Sequence, residues 1–230
     1  MADKPALFSS PMVRALLREI AEPGTGKTQT RRVIEPHKAA PFPGSSPSTP
    51  VGKIIVIKSP ARLGGWVEGP TFLPKYAVGD RIWVREAWRA YHRYDAKPPR
   101  ELMPSTTIYY EAGEIGEDEI SVMRGKLRPS MFMPKWASRI TLEVTGVKVE
   151  RLQDCSEADA IAEGIERASW RSDKWLNYLH PAGAFVEPIQ SYRSLWDSIN
   201  GTGAWDKNPW VAAYTFRPIL GNLDQIARAA

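Results

Sequence analysis

The chain has 230 residues, of which 43% are hydrophobic, and its 31 basic and 26 acidic residues give a formal net charge of +5. Such a chain can bury one sizeable core or at most two small ones, and its charge permits an anionic partner without demanding one. Cys155 is the single cysteine, so an internal disulfide is excluded, and no apolar run approaches the roughly 20 residues that span a bilayer. We recognise no signal peptide. We therefore expect a cytoplasmic protein with no membrane contact, in which Cys155 is a core residue rather than a nucleophile.

The first predicted element is a helix that begins at Ser10 and ends before Pro23. Proline is tolerated in a first helical turn, and Met12, Leu16 and Ile20 form one apolar stripe. The next segment, Lys27 to Ile34, predicts a loop that passes into a strand. A stretch rich in Pro, Gly and Ser, from Pro36 to Gly52, then predicts a mobile insertion.

Alternating apolar residues and β-branched runs predict the later strands. Their predicted bounds are Ile54 to Ile57, Arg81 to Trp88, Thr107 to Glu111, Arg139 to Arg151 with a bend at Gly146, and a closing strand from Trp210 to Phe216. Ser156 and Asp159 form a capping-box pattern for a short helix that Gly164 ends, and an apolar face predicts a second helix from Pro188 to Asn200. This order predicts an α+β barrel rather than a parallel sheet.

Several common kinds of site are poorly matched. Gly24 to Thr28 resembles the end of a phosphate-binding loop, but Ala21 stands where that motif requires a glycine, and a helix precedes it where a strand should. The three histidines, His37, His92 and His180, have no metal-ligand spacing. We expect no metal and no cofactor. A serine or cysteine triad would need partners that the sequence alone cannot bring together.

The string Lys27 to Arg32 places an amine, two hydroxyls and two guanidiniums within six residues. On a strand, Thr28, Thr30 and Arg32 would share one face, and Lys27 would reach the same pocket only from the preceding turn. This pattern indicates a polar cleft. The alternative is an exposed, basic strand edge.

Three motifs occur in order, and together they resemble the ASCH superfamily. They are Gly26 to Arg32, Gly79 to Arg85, and Ser156 to Ile165. Two further segments, Arg128 to Arg139 and Leu195 to Asn200, are similar to the longer phage and prophage members. The resemblance implies one α+β domain over 1–230, a PUA-like β-barrel with flanking helices, insertions at about 36–70, 90–127 and 168–185, and a polar tail at 219–230.

The same resemblance implies nucleic-acid or nucleoside handling. In small bacterial members that hydrolyse N(4)-acetylcytidine, a Lys and a Thr of the first motif and a Glu of the late helix act in catalysis, and Lys27, Thr30 and Glu163 match them. A desolvated Lys can take the proton of a Thr nucleophile, and a Glu can protonate the leaving amine. Arg32 would hold the acyl oxygen, a sugar or a phosphate. An ordinary helix pair of Glu163 with Arg167 is the alternative.

Most of the nine tryptophans are expected in the core, but Trp83 and Trp136 lie among cations in the sequence. We therefore predict Trp83 with Arg85, and Trp136 with Arg139, as places where a base stacks and a phosphate is neutralised. The predicted partner is a nucleoside or a single-stranded nucleic acid. A non-catalytic module that binds RNA or modified DNA and a ribonuclease are the alternative functions, and the oligomeric state is left open.

Overall fold

The computed structural model describes residues 3–36, 55–60, 66–113, 123–180 and 182–229, with the backbone alone for 55–60, 66–70 and 227–229. These residues form a mixed α+β structure with a multi-strand sheet and few helices. The strands are β1 (Asp3–Leu7), β2 (Gln29–Val33), β3 (Ile55–Pro60), β4 (Trp66–Phe72), β5 (Arg81–Arg85), β6 (Trp88–Ala90), β7 (Ile108–Tyr110), β8 (Ile140–Arg151), β9 (Arg167–Ala168), β10 (Arg171–Leu176), β11 (Ala184–Phe185) and β12 (Trp210–Leu220). The helices are α1 (Ser10–Ala21), α2 (Glu157–Ala162), α3 (Pro188–Asn200) and α4 (Leu223–Ala229).

The helix starts follow local sequence signals. Both α1 and α3 carry a proline in the first turn, where the missing N–H has no intrahelical partner to lose. The N–H of Asp159 donates to Ser156 Oγ at 3.1 Å, and the N–H of Ser156 donates to Asp159 Oδ2 at 3.2 Å, so a capping box starts α2. Gly164, with a φ of +84°, follows its end. The three predicted helices are confirmed.

The chain divides into two compact units, each built from separate segments. Unit 1 comprises residues 1–28, 80–143 and 217–230. In it β1 pairs in parallel with β5, and β5 pairs antiparallel with β8. Branched side chains from α1, β5 and β8 are fully buried there: Val13, Leu16, Ile82, Val84, Ile140 and Leu142. Their burial provides the main apolar core of unit 1.

A second apolar cluster of unit 1 underlies β6 and β7, which pair antiparallel. It contains Trp88, Ala90, Leu102, Met133 and Ala137. The segment 124–128 adds to this ribbon, because the backbone N–H and C=O groups of Trp88 and Arg128 bond reciprocally at 3.1 and 2.8 Å. The ribbon, the segment 91–102 and the turn at Ser130–Phe132 make up the 88–132 region, a name used below for the described residues in that range.

Unit 2 comprises residues 29–79 and 144–216. Its sheet pairs β2 antiparallel with β12, with Thr30 opposite Tyr214 and Arg31 opposite Ala213. Helices α2 and α3 contact each other, and α2 contacts β2. The pair β3 and β4 and the small sheet of β9, β10 and β11 complete it. Strands β8 and β12 contribute residues to both units.

Two predicted elements differ in the structure. The strand predicted from Arg81 to Trp88 stops at Arg85, because the next residue, Glu86, is buried and binds Arg139 with two hydrogen bonds of 2.9 Å. The polar tail predicted at 219–230 is wrong: β12 runs to Leu220 and α4 follows. Leu223 is fully buried there, and the Asn222 amide donates to backbone carbonyls of residues 135 and 138 at 2.8 and 2.9 Å.

The three predicted insertions are described in part. In the first insertion, residues 37–54 and 61–65 lie outside the described residues, so the predicted mobility of Pro36 to Gly52 is not tested. The described part of this insertion contains β3 and the start of β4. The second contains β6, β7 and short 3-10 turns, and the third contains β9 to β11. Closure of a barrel is not shown by the strand pairs of the described residues. Within those residues, no helix has both the length and the apolar character to cross a membrane.

Candidate functional site

The first motif lies on β2, and both faces of this strand are covered. Thr30 and Arg31 are 7% and 4% exposed, whereas Arg32 is exposed. Successive strand residues point to opposite faces, so Thr30 and Arg31 face opposite sides of the sheet. Thr30 shares its face with the cross-strand residue Tyr214, and Arg31 shares the other with Ala213. The small Ala213 side chain leaves room for the guanidinium.

The Arg31 guanidinium is bound by carboxylates from β8 and α2. Its Nε and Nη2 donate to Glu150 Oε1 at 3.1 and 2.8 Å. Its Nη1 lies 3.3 Å from Glu163 Oε1, and its Nη2 lies 3.3 Å from Asp159 Oδ2. Gln29 accepts a further bond from Nη1. The buried cation is thus neutralised by surrounding anions, as a charge removed from water requires. We call Arg31, Glu150, Glu163 and Asp159 the Arg31 network.

Burial and the charges of the network shift the pKa values of the groups in and around it. Burial acts to lower the pKa of Arg31, but Glu163 and other neighbours outweigh it, and the net change is upward. Burial raises the pKa of Tyr192 well above its usual value, and Glu163 adds to the effect. Burial also raises the pKa of Cys155 to about 12, despite the nearby Arg31. The Cys155 thiol therefore stays protonated near neutral pH, which disfavours a nucleophilic role.

These contacts fix where Glu163 lies relative to the other predicted catalytic residues. Its carboxylate is 4% exposed and is held by Arg31, on the face of β2 opposite to Thr30. The structure brings the Glu163 carboxylate to Arg31. Glu163 is more buried than an exposed helix pair with Arg167 would make it. The Arg167 guanidinium instead lies 3.7 Å from the Trp175 ring centroid.

The opposite face of β2 carries hydroxyls and cations. The Tyr214 hydroxyl accepts a hydrogen bond from the Lys75 N–H at 2.9 Å, and its ring meets Tyr76 edge to face at 5.0 Å. Burial raises the pKa of Tyr76 to about 12, although Arg32 opposes the change, so the phenol is neutral. Lys75 Nζ lies 5.1 Å from the Tyr76 ring centroid. We call Thr30, Arg32, Lys75, Tyr76 and Tyr214 the Thr30 face.

Lys27 lies in unit 1, at the turn after α1, and is 1% exposed. Its backbone N–H donates to the Ala15 carbonyl at 3.0 Å. A Cβ at Gly26 would overlap Ala15 and the Glu19 backbone, so only glycine fits against the helix. The Glu19 carboxylate accepts the N–H groups of Gly24 and Gly26 at 2.9 to 3.0 Å. An internal anion therefore occupies the turn that resembled a phosphate loop.

The predicted stacking residues are packed inside unit 1. Trp83 is 6% exposed, with the Arg85 guanidinium 4.5 Å from its ring centroid. Arg85 also donates to the carbonyl of residue 131 at 3.1 Å. Trp136 is half-buried against the cluster around Trp88. Arg139 pairs with the buried Glu86 and lies 4.0 Å from the Tyr110 ring centroid. In this arrangement these side chains stabilise unit 1, and a base would have to displace Arg85 to reach the Trp83 ring.

The residues that surround β2 were not predicted from the sequence. Thr28, Thr30 and Arg32 were expected to share one face at a polar cleft, and no role was predicted for Arg31. The period-2 alternation did signal that Arg31 faces the other way. The partners of Arg31 could not be found from sequence spacing, because Glu150 and Tyr192 lie far along the chain. Which residues meet Arg31 depends on how the strands pair.

Comparison with protein-family models, with curated proteins and with solved structures finds no match to this chain. The family and the function are therefore inferred from the residues of the chain and their contacts. The Arg31 network and the Thr30 face are the two polar clusters on β2 from which such an inference can start.

Proposed function

We propose that this chain is an ASCH-superfamily domain of the PUA-like barrel type, and that it binds a pyrimidine nucleoside or single-stranded nucleic acid through the Thr30 face. The observation that supports this is the composition of that face: one hydroxyl, two neutral phenols and two cations grouped on β2, β12 and the segment before β5. The second polar cluster, around Arg31, already contains its own counter-charges.

Each member of the Thr30 face has a role in such binding. The Thr30 hydroxyl can donate to or accept from the edge of a base. Tyr76 and Tyr214 are 4% and 1% exposed and pack beneath this face, whereas exposed Arg32 and Lys75 can neutralise a phosphate. A hydroxyl beside two exposed cations is suited to contacts with the sugar and phosphate groups of a single strand.

Hydrolysis of N(4)-acetylcytidine is the second candidate, and the burial of Lys27 favours it. A lysine that is 1% exposed has the dry environment that a lysine base requires. In the role that the resemblance implies, Lys27 takes the proton of the Thr30 hydroxyl, which attacks the acetyl carbonyl, and the C–N bond breaks as Glu163 protonates the leaving amine of cytidine. Water then hydrolyses the acetyl ester of Thr30 and releases acetate. However, the implied proton donor, Glu163, is neutralised by Arg31. Binding is therefore the function that the geometry supports better.

The binding test compares paired variants in titrations with N(4)-acetylcytidine, cytidine and a short single-stranded RNA. Thr30→Val removes the hydroxyl at nearly constant shape, and Thr215→Val is its matched control on the neighbouring strand. Arg32→Gln with Lys75→Gln removes two charges, and Arg171→Gln with Lys174→Gln removes two elsewhere. We expect each test variant to weaken binding at least about tenfold more than its control, as the loss of a directed polar contact gives.

Acetate release from the nucleoside, measured in parallel, separates the candidate functions. Turnover that is abolished by Thr30→Val and by Lys27→Arg would establish hydrolysis, because arginine keeps the charge but cannot act as a base near pH 7. Shortening of the RNA would indicate a ribonuclease. If the unaltered protein binds neither nucleoside nor RNA, the proposed function is wrong.

A further inference from the structure

A separate cavity of about 420 Å³ lies within unit 1, in the 88–132 region. One wall is the segment 96–99 and the other is the segment 126–132. Three cations line it, Lys97, Lys126 and Arg128, together with prolines and the ring of Phe132. Its volume is within the range of small-ligand sites.

Arg128 holds the two walls together. It is 4% exposed, and its Nη1 and Nη2 donate to the carbonyls of Lys97 and Tyr94 at 3.0 and 2.7 Å. Its guanidinium carbon lies 5.3 Å from the Trp88 ring centroid. Its Nε is buried and has no hydrogen-bond acceptor among the described residues. The walls are thus fixed by a buried cation whose acceptors are neutral.

The positive charge at the cavity is therefore not cancelled by its immediate partners. Within the described part of the chain, no carboxylate forms an ion pair with Lys97, Lys126 or Arg128. The nearby Asp95 side chain accepts the backbone N–H of Lys126 at 2.8 Å. A buried charge without a counter-charge is costly, and an anion bound beside it would lower that cost.

Charge and exposed apolar surface coincide here. The nine residues that line the cavity include three cations and no carboxylate, and the acidic segment 114–122, with four acidic residues, lies outside the described residues. Phe132 is 55% exposed and Leu127 47%. An exposed aromatic ring beside cations is the arrangement that stacks a base next to a phosphate.

We propose that this cavity binds one nucleotide unit of a single-stranded nucleic acid, with the phosphate on Lys97 and Lys126 and the base against Phe132. Arg128 adds charge and fixes the walls. This proposal rests on the proposed function only for the class of ligand, a nucleic acid; the cavity and its cations are independent of the Thr30 face. A free nucleoside bound at the Thr30 face would be unaffected by changes here, so failure of one proposal is distinguishable from failure of the other.

The test uses the full chain, which includes the acidic segment, and a short fluorescent single-stranded RNA of mixed sequence, with anisotropy measured at several salt concentrations. Lys97→Gln with Lys126→Gln is compared with Lys174→Gln and Lys207→Gln, which remove the same charge in unit 2. We expect the cavity pair to weaken binding at least about tenfold more than the control. The loss of two phosphate contacts should also reduce the salt slope by about 1.4.

Phe132→Ala tests the stacking surface, and Met131→Ala is its control, because Met131 is 56% exposed, adjacent and not part of the cavity lining. We expect Phe132→Ala to weaken binding about fivefold or more, as the loss of one base–aromatic stack gives. The proposal is overturned if both controls weaken binding as much as the test variants. It is also overturned if heparin, a polyanion without bases, competes fully and Phe132→Ala has no effect. Thermal unfolding of each variant confirms that it is folded.

Discussion

Arg31 and Arg128 are both 4% exposed, yet their surroundings differ in charge. Arg31 is bound by the carboxylates of Glu150 and Glu163, with Asp159 close by. Arg128 is bound by two backbone carbonyls. The first cation is neutralised within unit 2, and the second keeps its charge within unit 1. The same residue type at the same burial is therefore structural in one place and suited to an anionic ligand in the other.

The two arginines differ because carboxylates and backbone carbonyls supply different things to a buried guanidinium. A carboxylate offsets both the hydrogen-bonding loss and the charge of a buried guanidinium, whereas a carbonyl offsets only the first. Arg31 consequently links β2 to β8 and α2 as a closed set. Arg128 links Tyr94 and Lys97 to its own strand and leaves the neighbouring cavity positive. This contrast predicts different responses to the same substitution at the two sites.

Arg31→Met should give the largest effect. It removes the guanidinium that the buried Glu150 and Glu163 share, while Lys148 still pairs with Glu150. Removal of one partner of a buried ion pair costs about 3–5 kcal/mol. We expect the free energy of unfolding, from urea denaturation at neutral pH, to fall by that amount. A combined Arg31→Met, Glu150→Gln and Glu163→Gln variant should recover part of the loss, because no carboxylate of the buried pair is then left unpaired.

The control for this change is Arg171→Met, which removes an exposed guanidinium paired with Asp173 at 3.1 Å. Water and salt screen exposed pairs, so the control should be nearly neutral. If Arg31→Met is as mild as Arg171→Met, the network does not stabilise unit 2 and the contrast with Arg128 fails.

Arg128→Met should destabilise the protein less, by about 1–3 kcal/mol, because two hydrogen bonds from a charged donor are lost but no buried anion is stranded. The measurement is again urea unfolding, and exposed Arg100→Met in the same region is the control. The two arginines can also be told apart with RNA present. A ligand that binds only the folded state raises its stability, and Arg128→Met should reduce that gain while the control variant Arg171→Met with the same RNA still shows it. An equal loss for Arg31→Met and Arg128→Met would remove the distinction drawn here.

Local signals made much of the fold predictable. The apolar face and proline start gave α3 from Pro188 to Asn200, and the Ser156–Asp159 box gave α2, because such signals act within a few residues. Strand β1 was missed, since it is short, contains Pro5 and is defined by parallel pairing with β5, far along the chain. Helix α4 was missed because its seven residues include only two large apolar side chains, Leu223 and Ile226, which are too few to define a helical stripe.

The candidate site was predictable in part. Thr30, Lys27 and Glu163 were all expected to be functional, and all three are buried polar residues, which is unusual enough to require an explanation. What the sequence could not supply was the strand register. Register pairs Arg31 with Ala213 and so opens the space that Glu163 enters. The cavity at Phe132 depends likewise on Arg128 meeting Trp88, a contact that no spacing rule indicates.

The smallest expected effect concerns Asp159, the most exposed carboxylate of the Arg31 network. Burial acts to raise its pKa, but hydrogen bonds from Ser156 and the charge of Arg31 outweigh it, so the pKa is lowered. A carboxylate whose pKa is lower in the folded state stabilises that state at pH values above its unfolded-state pKa, about 3.9. This contribution is lost as the pH falls through the folded-state pKa.

At neutral pH, Asp159→Asn should cost about 0.3–1 kcal/mol, the usual contribution of an anion in the first turn of a helix. Below about pH 4 the unaltered protein should lose stability faster than Asp159→Asn, so the two curves converge. Asp206→Asn, which removes an exposed carboxylate paired with Arg193, serves as the control. Urea unfolding from pH 7 to pH 3 measures all three, and parallel curves for the unaltered protein and Asp159→Asn would show that Asp159 is not coupled to the Arg31 network.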